Sequence, residues 1–298
     1  MCGIVGLFIK DKELEDNLGE MLGDMLITMT DRGPDSAGIA IYGDYSDDRV
    51  KITVQSDNPD EQFAQLSSTL SEKLGMDFQV ELKSTHAIYD IDKNAAKAFR
   101  TIIDEKFPDM TVMSRGESME IFKEVGLPKD VVSRFDIAKM SGSHGIGHTR
   151  MATESAVTTN GAHPFSTELD QCLVHNGSLS NHNNLRRELA HNGITLETEN
   201  DSEVAAGYLT WKMQNGANLG EALEASLDDL DGFFTFVVGT KDGFGVLRDP
   251  IACKPAVLAE TDQYVAFGSE YRALASLPGI EDARIWEPEP ATVYFWER

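Results

Sequence analysis

The chain opens MCGIVGLFI, a cysteine directly after the initiator methionine, then Gly3 and an apolar run fit for a buried strand. Removal of Met1 would leave Cys2 as the N-terminal residue, carrying both a thiol and a free α-amine. The unperturbed pKa values are about 8.5 for the thiol and about 7.7–8 for the amine, so both are poised near neutral pH. One residue would then supply nucleophile and base, as in the threonine/N-terminal-amine pairing. The plainer reading of Cys2 is a small apolar residue opening a first strand.

At 298 residues the chain can bury a full core, as one large domain or one domain with an insertion. The charge balance narrows the partners: 26 Lys+Arg against 50 Asp+Glu leave a formal −24. Binding to nucleic acid or anionic membrane is driven largely by cationic side chains on phosphates, so neither is an expected partner. Cys2, Cys172 and Cys253 are far apart and form no CxxC pair, which suits a reducing cytoplasm. The start lacks a basic segment followed by an apolar signal region, and no apolar run approaches about 18 residues. The expectation is a soluble cytoplasmic protein.

Leu14, Leu18, Met21, Leu22, Met25, Leu26 and Met29 recur at helical spacing and predict an amphipathic helix over 13–30. TDRGPDSAG breaks it at Gly33-Pro34, and IAIYG resumes a strand. Residues 50–140 read as an inserted α/β segment: strand, helix, two strands, helix, strand, the βαββαβ order of a ferredoxin-like unit. SHGIGHTRMAT is a strand ending in a polar tip, and QCLVHNGSLS a strand and turn. Helices follow in NHNNLRREL, which Asn181 can cap, in NDSEVAAGYLTWKMQ and in LGEALEASLDDL. Short strands fill the last quarter, with EYRALASL a helix among them. Strand clusters at both ends and helices between them predict an α+β fold, two packed sheets covered by helices in αββα layers.

Four polar clusters sit at strand ends or turns, where a rigid scaffold can present side chains. They are Arg32 in DRGPDS, Arg150 in GHTRMAT, Asn176-Gly177 in HNG and Asp201 in NDSE. Singly, each has an ordinary explanation: Asn-Gly is a common tight turn, and Asp201 could cap its helix. His144 and His148 share one strand face, but no third metal ligand is indicated, so no metal is expected.

Taken together and in order, MCGIVGLF, RGPDSAG, GHTRMAT, AHPF, HNGSL and DSEV resemble the class II glutamine amidotransferase family, whose domain is an N-terminal-nucleophile hydrolase. The resemblance covers about 1–49 and 141–275, leaving 50–140 as an insertion within a domain spanning 1–298. It implies that Cys2 attacks the side-chain amide of glutamine, with its α-amine relaying the proton, and that a glutamyl thioester forms. It places the oxyanion donors at the Asn176 amide and the Gly177 N–H. It assigns Arg150 to the substrate carboxylate, Asp201 to the substrate ammonium, Thr153 to the pocket lining and Arg32 to a loop closing over the site. His163 belongs to the AHPF motif with no role beyond structural hydrogen bonding. Asp31 departs from the family's usual HRG.

Members of this family join the glutaminase to a synthase that uses the ammonia. With none evident before Arg298, a synthase is expected in trans. TDRGPDSAGIAIYG, the insertion and LRDPIACKPAV most resemble the stand-alone, glutamate-synthase-related amidotransferase subunits, such as the first subunit of N-methylglutamate synthase. That resemblance implies FMN and an iron–sulfur cluster in the partner subunits and no cofactor in this chain. The alternative is a catalytically silent scaffold or regulatory subunit of the same complex.

Overall fold

The computed structural model describes residues 2–75, 77–152 and 156–298. Strand β1 (Gly3–Ile9) is buried along its whole length. Its residues alternate between two cores: Val5, Leu7 and Ile9 meet one apolar cluster, Ile4 and Phe8 another. That alternation is what a strand must show when sheet faces on both sides are covered.

The chain then runs through α1 (Leu18–Thr28), β2 (Ser36–Tyr42), β3 (Arg49–Gln55), α2 (Pro59–Leu74), β4 (Gln79–Lys83) and β5 (His86–Asp92). Next come α3 (Ala96–Lys106), β6 (Thr111–Gly116), β7 (Met119–Val125), α4 (Pro128–Arg134) and β8 (His144–Arg150). The second half holds β9 (Phe165–Glu168), β10 (Gln171–Leu179), α5 (His182–His191), α6 (Asp201–Gln214), α7 (Leu219–Asp229), β11 (Gly232–Thr240) and β12 (Gly243–Arg248). It closes with β13 (Val257–Glu260), β14 (Tyr264–Gly268), β15 (Arg284–Trp286) and β16 (Thr292–Glu297).

These strands form a seven-stranded sheet, ordered β15-β13-β14-β1-β8-β2-β7, and a five-stranded sheet, β16-β12-β11-β10-β9. The two stack face to face over a core that includes Ile4, Tyr42, Ile146, Cys172, Val174, Phe244 and Phe267. Gly6 of β1 makes room for the ring of Phe244, whose Cε2 would lie 2.6 Å from an added Cβ. Helices α1 and α4 cover the outer face of the first sheet. Helices α5, α6 and α7 cover the second. The expected αββα layering is therefore the observed one.

The inserted unit is a four-stranded antiparallel sheet, β4-β5-β3-β6, with α2 and α3 packed on it around Phe63, Leu66, Tyr89 and Phe99. Counted within the insertion, that is strand order 2-3-1-4, the ferredoxin-like arrangement. It ends sooner than expected. Strand β7 pairs with β2 from Ser36↔Val125 to Tyr42↔Met119, and α4 packs with α1, so 119–134 belongs to the sandwich. The sequence hid this because MEIFKEV buries Lys123 and Glu124, which breaks the apolar alternation of a half-buried strand.

Three local expectations also change. The first turns of the 13–30 segment are a 3₁₀ stretch, Lys12–Asn17, with no buried residue, and the α-helix starts where the buried stripe starts. EYRALASL forms only a short 3₁₀ turn, Tyr271–Ala273. Asn181 occupies the cap position of α5 without capping it; its side chain bonds instead to Asp229 O and Asp231 N.

Asp170 ties the insertion's exit to the second sheet. Buried in the β9–β10 turn, its carboxylate accepts from Glu117 N (2.7 Å), Ser118 N (2.9 Å), Met119 N (3.0 Å) and Ser118 Oγ (3.1 Å). Removing a buried acceptor strands its donors at about 1–3 kcal/mol each before relaxation. Asp170→Ala is expected to destabilise the chain by about 2–4 kcal/mol, read as a lower melting temperature. The half-exposed Asp90→Ala, which loses an ion pair with Arg49, should cost under about 1 kcal/mol.

Candidate active site

The site lies at one end of the sandwich, where strand register brings distant motifs together. β1 and β8 pair antiparallel with Gly3 opposite Thr149, so one residue further on each strand stand Cys2 and Arg150. By alternation Arg150 shares the inner face of β8 with His144 and His148. Those rings reach across to carbonyls of the second sheet, Thr240 O at 2.8 Å and His175 O at 3.1 Å. On β10, Cys172 and Val174 line the core between the sheets, which puts Asn176 on the same inner face. There its Nδ2 donates to the Cys2 carbonyl at 3.3 Å.

Arg32 approaches from the other side. It ends the turn after α1, is buried, and donates from Nε to the Cys2 carbonyl at 2.9 Å. Its Nη1 pairs with Glu270 Oε1 at 2.6 Å, which with Arg272 holds the Glu270 carboxyl below the usual carboxylate range. The resemblance gave Arg32 a loop-closing role; in the structure its side chain holds the backbone carbonyl of Cys2. Asp31, which replaces the family's usual histidine, points outward to Arg272 at 3.3 Å. Asp35, in the same loop, accepts from Ala152 N at 2.8 Å, and its own N–H donates to Arg150 O at 3.1 Å. Chain 31–35 and the end of β8 are thereby locked together.

Arg150 is buried, and its Nη1 donates to Ala156 O at 3.2 Å. Asp201 opens α6, but Asn200 is the cap, accepting from Ser202 N. The Asp201 carboxylate instead accepts from Leu179 N at 2.9 Å, and it remains part-exposed. His175 Nδ1 lies 3.8 Å from Asp201 Oδ1, and burial drives the His175 pKa down, so the contact joins a neutral ring to a carboxylate. Gly177 has no space for a side chain: a Cβ would fall 2.0 Å from Phe233 O. Arg32 and Asn176 thus meet at the Cys2 carbonyl, with Arg150 at the neighbouring register position, while Asp201 lies against β10 through Leu179 and His175. Thr153 lies outside the described residues. His163 stacks on His148 at 4.0 Å between centroids, and neither of its ring nitrogens has a hydrogen-bond partner among the described residues. Stacking, not hydrogen bonding, is its contact. Among the described residues no group of three or more His, Cys, Asp or Glu could hold a metal ion.

Over 297 residues the chain is 67% identical to "Glutamine amidotransferase-like protein GlxB" of Rhizobium meliloti, covering 100% of this chain and 98% of that one. The chain belongs to the glutamine amidotransferase family. A second relative, "Putative glutamine amidotransferase" of Methanothermobacter thermautotrophicus, is 34% identical over 304 residues, 99% of each chain. The family's glutamine amidotransferase domain matches residues 148–276 of this amidotransferase. The solved glutamine phosphoribosylpyrophosphate amidotransferase of B. subtilis superposes with a TM-score of 0.64 at 18% identity, over 99% of this chain and 47% of that one. That likeness shows that the two share a fold. Among the described residues no helix is long and apolar enough to cross a membrane.

The histidines behind the site carry a pH signature. Burial pushes His148 down to about 3 and His144 to about 4, and holds His163 and His175 below their ordinary value. Each is neutral when folded and protonates near 6.5 when unfolded, so its stability contribution is complete above pH 6.5. That contribution is lost as pH falls from 6.5 toward the folded values, at about 1.4 kcal/mol per histidine per pH unit. Calorimetric melting between pH 7.5 and 5.5, above most carboxylate titration, is expected to show stability falling with uptake of several protons. Replacing His144 by Phe should make that fall shallower by about one proton.

Proposed function

We propose that this chain is a glutaminase that generates ammonia for a separate synthase. The observation that carries the reading is the meeting of the Asn176 amide with Cys2, 3.3 Å from its carbonyl, beside the register neighbour Arg150. With Met1 removed, the Cys2 α-amine takes the thiol proton, directly or through a water, and the thiolate attacks the glutamine amide carbon. The tetrahedral oxyanion is met by the second Nδ2 hydrogen of Asn176 and by the Gly177 N–H. The proton passes to the departing nitrogen, ammonia leaves, and a γ-glutamyl thioester remains. Water then attacks the thioester, releasing glutamate and restoring the thiol. Arg150 binds the α-carboxylate as a planar guanidinium fork, and Asp201 binds the α-ammonium. Arg32 keeps the nucleophile's backbone in place.

The glutamate-synthase-related motifs in TDRGPDSAGIAIYG and LRDPIACKPAV support a complex of the N-methylglutamate synthase or glutamate synthase type. Its FMN and iron–sulfur cluster would reside in partner subunits.

Intact mass of the purified chain is expected to show loss of Met1, and ammonia release from glutamine should follow. Cys2→Ala should abolish that release with the melting temperature unchanged. Asn176→Ala should lower kcat by about 10²–10³, as loss of one oxyanion donor does. Arg150→Lys should act mainly on KM, because an ammonium cannot reproduce the fork. A chain that keeps Met1 and releases no ammonia, with or without its partners, would point to the silent scaffold instead.

A further inference from the structure

The stretch 156–164 passes behind Arg150, and two consecutive residues of β7 grip it from the far side. Lys123 is 3% exposed. Its ammonium donates to the carbonyls of Ala162 (2.8 Å), Asn160 (3.1 Å) and Pro164 (3.2 Å). Three N–H donors meet three carbonyls, which uses the donor capacity of the group. Burial lowers its pKa to about 8, so it remains a cation at neutral pH. Glu124, also buried, accepts from Thr159 Oγ1 through one oxygen. Its other oxygen accepts from Thr85 Oγ1 at 2.9 Å and faces Arg134 Nη1 at 3.4 Å. Thr85 lies in the β4–β5 turn of the inserted unit.

The opposite side of the same stretch faces the site. Arg150 Nη1 donates to Ala156 O at 3.2 Å, and a Cβ on Gly161 would lie 3.5 Å from that same nitrogen. The His163 ring rests on His148, which bonds the carbonyl of His175, next in sequence to Asn176. A buried lysine and glutamate in mid-strand are costly to desolvate, and packing alone would be served by apolar residues. Apart from the Val125 N–H on Glu124, their side-chain hydrogen bonds go to this one stretch and to the insertion.

We propose that Lys123 and Glu124 are positioning residues for substrate binding. They fix 156–164 and through it the aim of the Arg150 guanidinium, with Thr85 joining the inserted unit to the same clamp. The proposal rests on reading the site as a glutamine pocket. Neither residue touches the reacting atoms; both act through Arg150. Loss of either therefore weakens glutamine binding and leaves the reactivity of Cys2 in place.

The test uses the full chain carrying Cys2→Ala, which cannot turn glutamine over, with glutamine affinity read by calorimetry and amide exchange followed along the chain. Adding Lys123→Met should weaken glutamine binding at least tenfold and accelerate exchange in 156–164 while leaving β11 and β12 protected. Lys123→Arg should recover part of the affinity, and Glu124→Gln should give a smaller loss of the same kind. In the chain with Cys2 intact, the same changes should raise KM, with kcat and the rate of Cys2 alkylation by iodoacetamide staying within about threefold. If Lys123→Met does not fold, Lys123→Arg and Glu124→Gln decide. Unchanged glutamine affinity in folded variants would overturn the clamp while leaving the glutaminase reading intact. Absence of glutamine binding to the chain with native Lys123 and Glu124 would instead overturn that reading and the clamp with it.

Discussion

The carbonyl of Cys2 is held from two directions, and the site depends on that grip. Arg32 donates to it from the turn after the first helix, and Asn176 donates to it from the opposing sheet. A residue at the start of a chain ordinarily frays, because few contacts repay the entropy of ordering it. Here β1 is hydrogen-bonded on both sides, to β14 and to β8, and is buried throughout. The two side-chain donors extend that order one residue further, to the backbone of Cys2.

A residue fixed this way needs a rigid surround, and the structure supplies it by joining layers. His144 and His148 cross from the first sheet to carbonyls of the second, neutral because burial suppresses their charging. Asp170 binds the second sheet to the strand leaving the insertion, and the Arg32–Glu270 pair binds the α1 turn to the strand end after β14. Each device satisfies buried polar groups that would otherwise cost stability, so rigidity and solvent exclusion arise together. The inserted unit enters the same network through Thr85 and Glu124, which gives a compact ferredoxin-like module a physical line to the site.

The motifs of the candidate site could be picked out in the sequence because their residue types are chemically restricted. A position-2 cysteine, an arginine ending a strand and an Asn-Gly pair could each be located without coordinates. Gly177 is an example of why: a carbonyl sits where any Cβ would be, so no other residue fits. The roles of supporting residues were less legible. Glu270 sits in a recognisable motif, yet its task as the partner of Arg32 appears only when positions 32 and 270 meet. Lys123 and Glu124 carry no sequence signal that marks them as buried, and the segment holding them was assigned to the insertion. Asp201 looked like a helix cap; Asn200 takes that task and leaves the carboxylate to bond β10.

By itself the sequence determined the alternation that buries β1, the αββα class, the βαββαβ order of the insertion and the candidate residues of the site. These follow from local periodicity and from side chains whose chemistry has few substitutes. Only the tertiary structure decided where the insertion ends, which donors hold Cys2, and that a buried lysine and glutamate brace the wall beside Arg150. Those outcomes depend on strand register across sheets and on the need of buried charges for partners, and neither is encoded within a short window of the chain.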